Sequence, residues 1–294
     1  MPQVNFQYRD LEAIDNTLYE PKYEELTARQ ILDVKSDVDP GAETYSYSVM
    51  TRSGAAKIMG NLSDDIPLVD VDMRRVFQRI YSIVTGFRYS VQELRNAQMA
   101  NVPLETTKAG VARRVIAEKE NKITWIGDAV HNIQGLANAE GIQTVAVEQG
   151  ASASARWEDK TGKEIVADIR SLRAKVEKLP GHTVDTLVLP PDQYELLEEP
   201  YNEYNNGTIR NYIQNQNWFQ SIVRAPELAG AGEGKTDAML VLDSSREVVE
   251  LLVPMDITRH DPEWAFPNYK FAVEERCGGT IIRYPMAIAR GDGI

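Results

Sequence analysis

The chain has 294 residues, 43% hydrophobic and 26% charged, with a single cysteine, a composition that predicts a globular protein of about two domains. Its 32 basic and 44 acidic residues leave a net charge of −12, which argues against a dedicated nucleic-acid binder and the large basic surface it needs. One cysteine excludes an intrachain disulfide and a multi-cysteine zinc site; no run approaches the roughly 18–20 apolar residues of a membrane span, and the opening lacks a basic-then-apolar signal, so a cytosol-like setting is expected.

Residues 1–43 are mixed, with Leu26, Ile31 and Leu32 hinting at a short helix, and read as an arm with little core of its own. Residues 44–52 alternate Tyr45, Tyr47 and Val49 against Ser46 and Ser48, the signature of a strand. A polar, Gly-bearing passage leads to a second extended candidate, roughly residues 67–84, although Val76, Ile80 and Val84 also fit a helix. If both arms are strands, they make a hairpin about 40–50 Å long at about 3.3 Å per residue, with no third strand evident beside it. A lone hairpin of that length is marginal in water, so it needs a partner molecule to lie on.

Residues 89–99 read as a short helix entering the longest one, residues 101–128. Pro103 suits the first turn of that helix, Glu105 complements its positive end, and Gly127 is a natural left-handed stop. On a helical wheel Leu104, Ala109, Val111, Ala112, Val115, Ile116, Ile123 and Ile126 share an arc of roughly 160°, a broad face expected to be buried. Arg113, Arg114, Glu118, Glu120 and Asn121 fall outside it. Lys108 and Lys119 fall inside, so they either snorkel to the edge or meet acidic groups on another element.

A Gly/Ala/Ser-rich passage at 139–156 marks a domain border. Residues 163–178 then place Ile165, Ile169, Leu172 and Val176 at helical spacing, closed by Pro180-Gly181. Strands are predicted at 185–189, 219–225, 238–242 and 248–253, with helical pieces at 193–199 and 208–215, an alternation that builds a small sheet. From Tyr269 onward the pattern predicts two long strands with a turn at Gly278-Gly279.

The candidate chemistry is sparse. Residues 229–236, AGAGEGKT, fit a relaxed phosphate-loop pattern in which Lys235 and Thr236 would hold phosphate and Mg²⁺. The next residues read as a strand, however, so no helix N-terminus would face the phosphates. His131, His182 and His260 are scattered; only Asp256, His260 and Asp261 are close enough in sequence to suggest a metal, and a surface turn explains them better. Cys277 lies in a strand pattern with no histidine near it, and reads as a core or interface thiol. The loop 201–217 carries Tyr201, Tyr204 and Tyr212 but only Arg210 as a cation, which suits a contact loop at a subunit boundary better than base stacking. No catalytic, cofactor-binding or metal-ligating constellation emerges. The pattern is that of a self-assembling structural protein.

The order of elements resembles the tailed-bacteriophage major capsid protein family, the Hong Kong ninety-seven-like fold shared with encapsulin shells. The resemblance is carried by the hairpin at 45–84, the helix AGVARRVIAEKENKITWIGD followed by HNIQGLAN at 131–138, TLVLPPDQYELLEE at 186–199, TIRNYIQNQNWFQSIVRAPEL at 208–228, and the closing FAVEERCGGTIIRYPMAIA. It implies an α+β fold with an N-terminal arm (1–43), an extended hairpin loop (44–84), a peripheral domain with a long spine helix (85–144 and 256–294) and an axial domain with a small mixed sheet (145–255). It further implies pentamers and hexamers closing into an icosahedral shell around double-stranded DNA, assembled in the host cytoplasm, with portal, scaffolding and decoration proteins as partners and no membrane. The expected intersubunit contacts are Lys57, Lys108, Lys119, Tyr45, Tyr47, Tyr204 and Arg210, with the hairpin lying over a neighbour's spine. An encapsulin-type compartment that loads cargo protein is the related alternative, and a nucleotide-binding enzyme using loop 229–236 the unrelated one.

Overall fold

The structure, a computed structural model, describes residues 26–53, 70–100, 104–202 and 205–294. The expectations placed on residues 1–25, Lys57, Pro103 and Tyr204 lie outside the described residues.

The best-formed core lies in the second half of the chain. A five-stranded mixed sheet runs in the order Ser221–Arg224, Thr186–Leu189, Ala238–Leu242, Ile288–Asp292, Gln143–Ala146. The helix Gly162–Glu177 covers it, burying Ile165, Ile169, Leu172 and Val176 as their spacing predicts. Thr161 and Glu164 form a capping box at its start, satisfying two backbone N–H groups that the first helical turn leaves without partners. The predicted border region 139–156 contains one strand of this sheet, Gln143–Ala146, paired in parallel with the C-terminal strand.

The other half is built on a second sheet. Tyr81–Ser90 pairs antiparallel with Asn268–Cys277 over its whole length, and Met255–Arg259 and Glu263–Ala265 flank the latter strand. The uncertain extended stretch is therefore resolved into two strands, Asp70–Arg79 and Tyr81–Ser90, with Ile80 buried at the break. The helix Leu104–Trp125, 22 residues and about 33 Å at 1.5 Å per residue, lies across this sheet. Ala112 and Ile116 meet Val273, Ile83, Phe87 and Ile257 there.

The buried face of that helix is narrower than the apolar arc predicts. Val111 and Val115 are about half exposed (52% and 48%), whereas Glu120 and Asn121 are buried. The cause is the short helix Ala28–Ile31, which covers the polar side and supplies partners there: Ala28 N–H donates to Asn121 Oδ1 (3.0 Å) and Arg29 to Glu120. A wheel drawn from one helix cannot register a partner that arrives from more than 90 residues away in sequence.

Two close backbone approaches fix the joints. Beyond the helix, Gly127 (φ +78°) and Gly135 lie so near each other's strands, Gly127–Asp128 and Ile133–Gln134, that a Cβ at either would come within 2.3 Å of backbone. This folds the 131–138 segment back on the helix end and buries Leu136 and Ala137 beside Trp125. Gly278-Gly279 is not the hairpin turn the sequence predicts. Asn268–Cys277 and Gly279–Ile282 do not pair; the second joins Val249–Leu252 and Val34–Lys35 in a separate three-stranded sheet, and the chain then enters the five-stranded one. A Cβ at Gly278 would meet Leu252 at 2.5 Å, so the glycines permit a crossover between packed sheets, a need that resembles a turn signal in sequence.

Candidate functional site

The hairpin stands apart from these cores. Among the described residues, Thr44–Ser53 and Asp70–Arg79 pair only with each other, in register from Thr44↔Arg79 to Ser53↔Asp70. Its residues alternate between two faces, and the faces differ in their partners. On one face the base is fastened to the chain's own body. The Tyr45 and Tyr47 rings stack at 6.3 Å, the Tyr47 hydroxyl donates to the Ile282 carbonyl (2.8 Å), and Gln78 Nε2 donates to the Gly278 and Thr280 carbonyls (2.6 and 3.0 Å). Both tyrosines pack against Ile80, Leu252 and Ile281. Beyond this base an open cleft of about 960 Å³ separates Val49, Arg74 and Val76 from His131, Gln134 and Arg283.

Among the described residues, the opposite face has no such cover. Met50 sits directly across from Met73, with Val71 and Phe77 on the same side, and Phe77 and Met73 are each 67% exposed. Arg75 and Arg79 alternate with them along the strand. Four large apolar side chains on one face of a two-stranded ribbon, interrupted by Arg75, form a patch that monomeric proteins rarely leave wet. Val111 and Val115 add a second, smaller apolar stripe on the outer side of the long helix.

The lysines flanking that stripe have partners within the chain. Lys119 Nζ lies 2.8 Å from Asp128 Oδ2, just past the helix end. This hydrogen bond, with others from His131, holds the Asp128 carboxyl well below the usual carboxylate range. Lys108 Nζ approaches the Arg88 carbonyl (3.3 Å) and the Tyr89 ring (4.2 Å to its centre). Arg210 pairs with Glu198 (2.9 Å) over the Tyr194 ring, and Tyr201 stacks on Tyr212 at 4.3 Å, so the described part of the 201–217 loop is held by its own chain.

Nothing in loop 229–236 prepares it for phosphate. Gly230, Gly234 and Lys235 adopt positive φ, the Thr236 hydroxyl donates to the Glu233 carbonyl, and the strand Ala238–Leu242 follows where a helix would be needed. Cys277 is buried, and burial pushes its thiol up to about 12, far from nucleophilic reactivity. His260 pairs with Glu274 while Asp256 turns to Arg29, and no metal-ligating cluster occurs among the described residues.

Comparison with known proteins places the whole arrangement. A family model described as "Major capsid protein" matches residues 54–294. The chain belongs to the major capsid protein family. It is 25% identical over 283 residues to the type 1 encapsulin shell protein EncA of Myxococcus xanthus, covering 95% of this chain and 91% of that one. Its fold is similar to the capsid of Myoviridae phage XM1 (TM-score 0.83, 15% identity, 98% and 99% of the two chains). It is also similar to a Mycobacterium phage Bobi structure (0.68, 16%, 96% and 94%) and to a virus-like particle from Pyrococcus furiosus (0.63, 14%, 90% and 91%). These likenesses bear out the α+β, Hong Kong ninety-seven-like fold expected from the sequence. The sequence reading singled out the tyrosines of the inner face; the alternation of Val71, Met73, Arg75, Phe77 and Arg79 carried the signal for the outer one.

Proposed function

We propose that this chain is the major capsid protein of a tailed phage, self-assembling as pentamers and hexamers into an icosahedral shell around double-stranded DNA. The observation that carries this reading is the family match over residues 54–294. The uncovered hairpin supports it, because a two-stranded ribbon with one apolar face gains stability only against another molecule. In this reading the Met50, Val71, Met73 and Phe77 face lies on a neighbour's helix Leu104–Trp125, whose outer side offers Val111 and Val115. Residues 44–84 then act as the hairpin loop, 85–144 with 256–294 as the peripheral domain, and 145–255 as the axial domain at the capsomer centre. Lys57, Tyr204, Lys108, Lys119 and Arg210 belong to the proposed contact set. Tyr45 and Tyr47 enter it indirectly, by fixing the angle at which the hairpin leaves the body.

A net charge of −12 suits a container that must release its genome, since a lining that neutralised many phosphates would hold the DNA. Portal, scaffolding and decoration proteins are the partners such a shell takes, and assembly takes place in the host cytoplasm. Similarity to EncA over 95% of the chain favours one second reading, an encapsulin-type compartment loaded with protein cargo. Negative-stain microscopy of the purified protein tests both readings: closed shells or capsomers are expected, and a small monodisperse particle would overturn them. Particles from the native host that contain DNA support the phage reading, and particles that contain protein cargo support the encapsulin one.

A further inference from the structure

Beneath the short helix Ala28–Ile31 lie two carboxylates that shell assembly does not call for. Glu120 of the long helix and Glu275 of the strand Asn268–Cys277 face each other with side chains 3% and 0% exposed. Arg29 is the cation between them. It donates to both Glu120 oxygens (2.7 and 2.6 Å) and to Glu275 Oε1 (2.7 Å), and it reaches the exposed Asp256 of the neighbouring strand at 3.0 Å. The other titratable groups around the pair are Cys277 on the same strand, Arg113, which lends positive potential to Asp256, and Glu227, bonded to Asn121 one residue along the helix. Cys277 stays neutral, its thiol pushed up to about 12 by burial.

One guanidinium against two sealed carboxylates leaves an unbalanced charge in a poorly solvated site. Glu275 Oε2 resolves the imbalance: it is buried and no donor faces it among the described residues, so it is the oxygen positioned to carry a proton itself. Burial, reinforced by the Glu120 carboxylate beside it, raises Glu275 to about 9. We propose that Arg29, Glu120 and Glu275 form a proton-dependent latch, in which one proton held on the glutamate pair keeps the segment 26–35 docked and its loss frees that segment. Ala28 and Leu32, buried on either side of Arg29, make this segment the roof over the pair, so undocking admits water to Glu275.

The sign follows from linkage. Docked, Glu275 keeps its proton to about pH 9; solvated, it has its ordinary value of 4.5. Docking therefore takes up one proton between these limits, and its strength falls as pH rises through the window up to about 9. In a shell, this sets how firmly the chain preceding residue 26 is tethered; only that consequence rests on the capsid reading.

Hydrogen exchange of residues 26–35 in the full chain, corrected for intrinsic rates, tests the latch whether or not shells form. The wild-type opening constant reported by the Ala28 and Leu32 amides is expected to rise about tenfold per pH unit between pH 6 and 9 and then level off. Glu275→Gln, which mimics the protonated carboxyl, is expected to abolish the slope while keeping the segment protected. Glu120→Gln, which keeps a titrating Glu275, is expected to move the plateau below pH 9. A wild-type opening constant that is flat or falls with pH, a slope retained in Glu275→Gln, or an unmoved plateau in Glu120→Gln would each overturn the proposal.

Discussion

The hairpin and the five-stranded sheet are both made of alternating or apolar strands, yet they end in opposite situations. In the sheet, Ala238–Leu242 is buried along its whole length, with the helix Gly162–Glu177 closing one side. In the hairpin, strands twice as long pair only with each other among the described residues, and Met50, Val71, Met73 and Phe77 remain in contact with water. The first region satisfies its hydrophobic surface within one chain. In the proposed shell, the second leaves that requirement for another copy. A side chain of the same type then contributes to folding in one place and, in that shell, to association in the other.

Substitutions that separate folding from association sharpen this contrast. The largest effect is expected from Arg29→Ala, which leaves the buried Glu120 and Glu275 carboxylates without their cation and should cost about 3–5 kcal/mol in urea unfolding. Leu172→Ala, in the core under the five-stranded sheet, should cost about 2–5 kcal/mol and lose shells only through unfolding. Lys119→Glu breaks the contact to Asp128 at the helix end, outside either core, so shell yield should fall more than the unfolding midpoint does. Lys235→Ala should change neither, since the loop around it is held by its own backbone and the Thr236 hydroxyl. Survival of shell assembly in Arg29→Ala at full stability would erase the distinction from the folding side.

What the sequence revealed and what it hid follow the same division. Ile165, Ile169, Leu172 and Val176 were legible because their partners lie on one sheet and their spacing alone orients them. The hairpin was legible as a ribbon without a neighbour. Glu120 and Asn121 read as a solvated helix face because Arg29 and Ala28, which cover them, come from the far end of the chain. Gly278-Gly279 read as a turn because a crossover through packed sheets needs the same freedom from a Cβ as a turn does. Tyr45 and Tyr47 looked like contact residues because aromatic rings on a ribbon are available to any partner, and their own body takes them first. Lys119 carried an open question, a cation inside an apolar arc, and Asp128 answers it within the chain.

The most direct measurement is a paired one on the double variant Met73→Ser/Phe77→Ser, whose two side chains are each 67% exposed. Urea unfolding and negative-stain microscopy are read on the same preparation. The account predicts an unfolding free energy of the unassembled subunit within about 0.5 kcal/mol of wild type, as for surface positions, together with loss of closed shells. Wild-type shells from the double variant, or a stability loss on the scale of Leu172→Ala, would contradict it.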